Sequence, residues 1–267
     1  MTMKELLITV LTSGALAMYG TPANAQISEH AARNKARSVA RSQLHLDPQF
    51  FLDVHRDEAL EEELASVVGG LAGSEFIYRI SQAGNEIKDH AVVHHLFVDT
   101  DPVYLVAVSP VDGSTYRIAG FRDSKAELNK LMAALRVKVS SEDQAEEVAD
   151  FYRIVDPEHR SITRISGLFD LKQAAERQCQ AVPFDPNERG FEVWWKHAKA
   201  IYANVSFQQT AARSGSGYIV EWITLSDPGA GLCGGGALRA RLEIRFDGSI
   251  GKISFSPLPR EVPIDYH

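Results

Sequence analysis

The chain has 267 residues, a formal net charge of −7 and 24% charged residues. Hydrophobic residues make up 45% of it, which is typical of an ordinary folded protein. An acidic chain without a basic tract lacks the positive surface that nucleic-acid binding requires. We therefore expect no nucleic-acid partner.

The first 25 residues have the parts of a secretory signal peptide. A short charged start carries Lys4, an apolar run begins at Leu6, and the small-residue pattern Ala23-Asn24-Ala25 follows. This order predicts cleavage after Ala25 and export to the periplasm or outside the cell. A transmembrane anchor is disfavoured, because the apolar run is shorter than the ~20 residues that a span needs. No later segment is long and apolar enough, so we expect no membrane span in the mature chain.

Removal of the signal peptide leaves about 240 residues, enough for one large domain or two modest ones. Helical and strand patterns occur in both halves. We predict an α+β fold in which antiparallel β-meanders pack against helices in two layers. The N-terminal unit is placed at 26–138 and the C-terminal unit at 139–267, with one continuous domain as the alternative.

The first unit begins with helical patterns and continues into strands. Residues 27–46 favour a helix, and the spacing of the apolar residues over 60–71 predicts a second one. Three or four antiparallel strands follow, the last two joined at Asp112-Gly113. Ser124 and Glu127 then predict a capping box at the start of the next helix.

The second unit repeats this mixture. Helices are predicted over 140–155, 167–180 and 184–202, the last with Asp185 as its N-cap. Strands are expected at about 203–211, 217–225, 237–246 and 250–256.

The last two strands carry the strongest local signal. Asp247-Gly248 lies between alternating segments and predicts a two-residue hairpin turn that pairs Phe246 with Ser249. This register places Leu242 opposite Ile253 and Ala240 opposite Phe255, with the charged side chains on the outer face. The segments around 112 and 247 share an Asp-Gly-Ser turn between strands, which suggests two similar α+β units, although a single short match is also compatible with chance.

Two cysteines, Cys179 and Cys233, are present in a chain that we expect to be exported. An oxidising compartment favours a disulfide between them, with two free buried thiols as the alternative. Cys233 lies in the Gly-rich segment 229–236. This segment lacks the Lys-Ser/Thr of a P-loop and precedes a strand rather than a helix, so nucleotide binding is not expected.

The sequence shows no local catalytic or metal-binding signature. His90 and His94 lie in a segment with strand character, where residues four apart are ~13 Å apart and cannot both bind one ion directly. We therefore predict no catalytic residue, no metal site and no cofactor, and interpret the histidines as ordinary surface or half-buried side chains.

Aromatic and arginine residues in the last strands suggest a binding surface. Tyr218 and Trp222 share one face of a strand, and Arg239, Arg241 and Arg245 share one face of the next. Side by side, they would offer an aromatic and cationic surface to an anionic or aromatic partner. Two buried faces with a solvated charged rim are the simpler alternative.

No motif identifies a family. The combination of meanders and helices resembles cystatin-like and nuclear-transport-factor-like α+β folds, and this likeness of architecture implies no function. We expect a non-enzymatic binding or interaction module whose partner is a protein or a small molecule. The alternative is an exported hydrolase whose acid and base residues are scattered along the chain.

Overall fold

A computed structural model of the chain describes residues 26–44, 51–68, 75–83, 104–157, 164–180, 188–226 and 235–258. The predicted signal peptide, the segment with His90 and His94, and most of the Gly-rich loop with Cys233 lie outside these ranges. Within them, helices pack on two four-stranded antiparallel sheets, which confirms the predicted α+β class. None of the helices in these ranges has the length and hydropathy of a membrane span.

Six helices and eight strands are formed by the described residues. The helices are α1 (Glu29–Leu44), α2 (Glu58–Val67), α3 (Ser124–Ala134), α4 (Glu142–Val155), α5 (Leu168–Gln180) and α6 (Glu188–Tyr202). The strands are β1 (Phe51–Arg56), β2 (Phe76–Ala83), β3 (Tyr104–Val108), β4 (Thr115–Ala119), β5 (Thr210–Ser214), β6 (Gly217–Leu225), β7 (Ala237–Arg245) and β8 (Ile250–Pro257). Two strand predictions were wrong: β1 was missed, and the strand expected at 203–211 begins only at Thr210.

The first sheet has the strand order β1-β2-β3-β4, and α1 covers one of its faces. The buried side of α1 consists of Ala32, Ala36 and Ala40, each fully buried. Small side chains at this four-residue spacing form one helix stripe and bring the helix close to the sheet. They pack against the apolar side chains Leu52, Val54, Tyr78, Ile80, Val106 and Val108.

A two-point ion pair joins β1 to α2. Arg56 Nε donates to Glu61 Oε1 at 2.9 Å, and Arg56 Nη2 donates to Glu61 Oε2 at 2.7 Å. Hydrogen bonding to Glu61 raises the pKa of the Arg56 guanidinium, and burial lowers the same pKa by a smaller amount. Glu61 Oε1 also accepts from the Ile77 backbone N–H at 2.9 Å, so one carboxylate connects two strands and a helix.

The N-terminus of α3 differs from the predicted capping box. Asp123 is the N-cap residue and makes no side-chain cap hydrogen bond, while Ser124 Oγ accepts from the Phe121 N–H at 2.9 Å. Glu127 pairs with Lys130 at 2.6 Å. In contrast, Ser141 caps α4 through a hydrogen bond from the Gln144 N–H. The capping-box prediction for α3 was wrong, because Phe121 and Lys130 engage the two side chains that a capping box would use.

The largest hydrophobic cluster takes residues from both predicted units. On the side of the first sheet it includes Ile77, Leu105 and Ile118, together with α2 and α3. On the side of the second sheet it includes Val220 and Leu242, beneath the buried face of α4. The two sheets therefore contribute to one shared core, with helices between them.

The second sheet has the order β5-β6-β7-β8, and α5 and α6 pack beside its end. Trp194, Ala198 and Tyr202 form the buried stripe of α6. The Tyr202 hydroxyl accepts from the Ala237 backbone N–H at 3.1 Å and so connects α6 to the start of β7.

The β7–β8 hairpin has its predicted register along most of its length but a different turn. The Arg245 N–H donates to Ser249 O and the Gly248 N–H donates to Arg245 O, both at 2.9 Å, which makes a three-residue loop instead of the expected Phe246–Ser249 pair. A register shift then places two residues of β8 opposite Glu243. The two offsets cancel, so Leu242 faces Ile253 and Ala240 faces Phe255 as predicted.

Candidate site: the arginine face of the second sheet

From Arg239 onward, strand β7 alternates between exposed and buried side chains. Ala240, Leu242 and Ile244 are at most 1% exposed, whereas Arg239, Arg241, Glu243 and Arg245 are all exposed. Alternation of this kind places the four charged side chains on one face of the sheet, with neighbouring ones about 7 Å apart. We call the outer side of the second sheet, with these four residues at its centre, the arginine face.

The two aromatic residues predicted for this surface lie on the other side of the sheet. Tyr218 pairs with Ile244 and Trp222 with Ala240, so both share the buried face of β7. Tyr218 is 6% exposed and Trp222 is 1% exposed. The structure brings the three arginines together and separates them from the aromatic pair. The predicted combination of aromatic and cationic side chains on one surface is therefore corrected.

Trp222 belongs to the packing beneath α4. The guanidinium of Arg153 lies over the Trp222 ring, 5.6 Å from its centroid. Arg153 also pairs with Asp150 one turn earlier on α4. A buried cation–π contact adds to the packing of the ring and fixes α4 over β6.

The acidic side chains on the arginine face neutralise only part of its positive charge. Arg239 pairs with Glu221 of β6 at 3.4 Å, and this pair is solvent-exposed. The side chains of Arg241 and Arg245 form no salt bridge or hydrogen bond with the described residues. Hydrogen bonds from Ser249, with a smaller contribution from the charge of Arg245, hold the pKa of Asp247 below its ordinary value. The exposed Lys252 on β8 adds a further positive charge to this end of the sheet.

The two outer strands of the sheet carry small side chains on the arginine face. On β8, Ser254 lies opposite Arg241 and Ser256 lies opposite Arg239. On β5, Thr210 and Ala212 lie opposite Glu221 and Ile219 of β6. Helix α4 packs against the opposite face of the sheet.

Part of the arginine face is covered. Ile223, Leu225 and Ala237 lie at one end of this face and are buried with α5 and α6. The exposed part therefore extends from Arg239 to Arg245.

Arg213 makes a separate contact at the edge of the sheet. Arg213 lies opposite Tyr218 in the strand register. Its side chain is therefore on the same side of the sheet as Tyr218 and not on the arginine face. Its guanidinium lies 5.2 Å from the centroid of Phe246, which in turn packs edge-on against Tyr218 at 5.7 Å. Sequence reasoning missed this cluster, and only the pairing of β5 with β6 identifies it.

The described residues contain one cavity and one His–Asp contact that bear on the hydrolase alternative. A cavity of about 630 Å³ lies at the start of α3, lined by Phe121, Arg122, Asp123, Lys125, Ala126, Asn129 and Pro157, with no histidine among them. His55 contacts Asp53 at 2.7 Å on β1, but both side chains are more than half exposed. Among the residues that the structure describes, no group of three or more His, Cys, Asp or Glu side chains is arranged to hold a metal ion.

The cysteines lie at the limits of the described chain. Cys179 is in the last turn of α5, and neither its side chain nor Cys233 is described, so the disulfide stays a prediction. The neighbouring Gln178 donates to Ser226 O at 3.2 Å. Ser226 and Gly236 are joined by a backbone hydrogen bond of 2.9 Å at the base of the Gly-rich loop. The end of α5 therefore lies against the base of the loop that carries Cys233.

Comparison with protein-family models, with curated proteins and with solved structures finds no match in any of the three. The feature of the chain that bears most directly on function is the exposed row of arginines on one face of the second sheet.

Proposed function

We propose that this is an exported, non-enzymatic binding protein that holds an acidic partner on the arginine face. One observation carries the proposal. Arg241 and Arg245 are exposed on the same face of β7 and form no salt bridge with the described residues, in a chain whose net charge is −7. A local cluster of cations on an acidic protein favours a partner of opposite charge.

The chemistry of arginine supports carboxylate recognition. A guanidinium presents a planar set of donors that matches a carboxylate at two points, which gives both strength and orientation. The small side chains of Ser254 and Ser256 on β8 leave room for such a partner beside Arg241. Glu243 and Glu221 lie in the same face and weaken its attraction for a negative surface, so binding of such a surface depends on Arg241 and Arg245.

Export forms part of the same proposal. It is supported by the signal-peptide pattern that ends at Ala25 and by the pair of cysteines. The contact between Gln178 and Ser226 is compatible with a bridge from Cys179 to Cys233. Mass spectrometry of the protein recovered from the medium or the periplasm should find Gln26 as its first residue, and a retained N-terminus would contradict this part.

Binding can be tested with immobilised poly-L-glutamate as the acidic probe. We expect the wild-type protein to be retained at low salt and released as salt rises, because exposed charges are screened. The double variant Arg241→Ser with Arg245→Ser should elute at clearly lower salt.

The matched control removes the same charge elsewhere. Arg122 and Arg177 are exposed on other parts of the surface and have no ion-pair partner among the described residues. The double variant Arg122→Ser with Arg177→Ser should elute close to the wild type. Equal elution of the two double variants would show that retention reflects net charge alone and would overturn the proposed site.

A further inference from the structure

A buried carboxyl lies at one end of the first sheet, and one of its oxygens has no hydrogen-bond partner among the described residues. Glu75 immediately precedes β2 and is 8% exposed. Its Oε2 atom is buried and has no hydrogen-bond partner among the described residues. By alternation, Glu75 lies on the same side of the sheet as Ile77, next to the turn that joins β3 and β4.

That turn, residues 109–114, is held from the side of α1. The Ile27 N–H donates to Pro110 O at 2.8 Å, and Lys35 Nζ donates to Gly113 O at 2.9 Å. Gly113 has a φ of +72°, a conformation that glycine adopts without strain. The N-terminal segment and α1 thus clamp one side of the turn, while Glu75 lies at the other.

The turn itself carries a fixed negative charge. Asp112 accepts from the Ser114 backbone N–H at 2.9 Å and from the Ser114 hydroxyl at 2.8 Å. These hydrogen bonds hold the pKa of Asp112 below its ordinary value. Asp112 is therefore ionised across the physiological range, and any charge on Glu75 has to form beside it.

The other ionisable groups near Glu75 do not compensate such a charge. Tyr116 of β4 is half-buried, and burial followed by the charge of Glu75 raises the pKa of its phenol. On α3, Glu127 is paired with Lys130, and on α2, Glu61 is paired with Arg56. The ammonium of Lys35 is engaged by the Gly113 carbonyl.

Burial, with a smaller contribution from Asp112, raises the pKa of Glu75 to about 7. A neutral carboxyl tolerates this environment, whereas an ionised one is desolvated without a donor or a cation to stabilise it. Protonation and burial of Glu75 are therefore linked.

We propose that Glu75 is a proton switch for the β3–β4 turn: when neutral it allows residues 109–114 to stay docked on the first sheet, and when ionised it loosens them. This inference does not depend on the arginine face. A pH-dependent turn matters most in an exported protein, because such a protein is exposed to the pH of its surroundings.

The direction of the effect follows from proton linkage. Between the ordinary carboxyl pKa of 4.5 and about 7, the folded chain keeps a proton on Glu75 that the unfolded chain has lost. The stabilisation is complete below pH 4.5 and is lost as the pH rises through this window. Above about pH 7 Glu75 is ionised in both the docked and the opened chain, so the loss levels off and local opening of the turn stays easier than at low pH.

Amide hydrogen exchange of the purified protein between pH 5.5 and 8.5 tests the switch. After correction for the intrinsic exchange rate, the protection of residues 104–119 should fall ~10-fold or more between pH 5.5 and about pH 7 and level off above it. Glu75→Gln, which stays neutral, should keep these amides protected at pH 8.5. Glu62→Gln, an exposed control on α2, should follow the wild-type profile.

A second variant keeps the test decisive if Glu75→Gln does not fold. Asp112→Asn removes the neighbouring charge but can still accept from Ser114, so it should move the midpoint of the wild-type transition to lower pH. A flat wild-type profile, an unchanged transition in Glu75→Gln, or an unchanged midpoint in Asp112→Asn would each overturn the proposal.

Discussion

Trp222 and Arg241 lie on adjacent strands but on opposite faces of the second sheet. Trp222 lies opposite Ala240 in the strand register and is 1% exposed beneath α4. Arg241 lies opposite Glu221 in the register and is exposed. Ala240 and Arg241 are adjacent in β7, and a step of one residue along a strand moves the side chain from one face of the sheet to the other. The aromatic residue therefore acts on stability, and the arginine is available for binding.

Trp222→Ala should lower the free energy of unfolding by about 3–5 kcal/mol, because it leaves a large cavity and removes the ring contacted by Arg153. Denaturant unfolding followed by circular dichroism measures this loss. The half-buried Trp195 on α6 provides the control, and Trp195→Ala should cost clearly less. A loss below about 1 kcal/mol for Trp222→Ala would contradict its burial in the core.

Glu61→Gln should lower stability by about 1–3 kcal/mol, since it weakens charge-assisted hydrogen bonds with Arg56 and Ile77. Glu62→Gln is a matched change on the exposed side of the same helix and should stay within about 0.5 kcal/mol of the wild type. Thermal unfolding of the two variants under one condition gives the comparison. Equal unfolding temperatures would show that the ion pair at Arg56 contributes nothing measurable.

Gly248→Ala should destabilise the protein more than Gly215→Ala, although both glycines have positive φ angles. At Gly248 φ is +77° and an added Cβ would lie 2.6 Å from Val137 Cγ1. At Gly215 φ is +53° and nothing lies within 4 Å of an added Cβ. Backbone strain alone costs about 1–2 kcal/mol, so the excess for Gly248→Ala reports the contact with Val137. Similar unfolding free energies would mean that Val137 moves aside without cost.

Thiol titration tests the predicted bridge between Cys179 and Cys233. The denatured, unreduced protein from the exported fraction should show no free thiol, and the reduced protein should show two. Two thiols before reduction would contradict the disulfide. If the bridge forms, its removal should lower stability by about 2–4 kcal/mol, since it closes a long loop in the unfolded chain.

Much of the local structure could be predicted from the sequence because its signals are short in range. The helix α1 and the apolar stripe of α4 follow from periodicity. The predicted register of β7 with β8 holds along most of the hairpin because a register shift offsets the wrong turn. The prediction of β5 failed because contacts between residues far apart in the chain determine where this strand begins. Val205 and Phe207 have strand propensity, yet they pack into the cluster around α5 and α6 before β5 begins.

In the candidate site, too, some features follow from the local sequence and others only from strand pairing. Arginine at 239, 241 and 245 places three cations on one face of any strand, because side chains alternate with a period of two. Strand β6 is apolar on nearly every residue, so its own pattern does not say which side of it faces the core. The pairing of β6 with β7 determines that Trp222 lies on the buried face of the sheet, opposite Ala240.

By itself, the sequence determined the α+β class, the order of most helices and strands, and the common face of the three arginines, since each depends on neighbours within a few residues. Only the tertiary structure decided that Trp222 is buried beneath α4, that Glu61 connects three elements, and that Glu75 lies unpartnered beside Asp112. The physical reason is that burial and charge environment depend on side chains far apart in the chain, whose approach is decided by strand pairing and core packing.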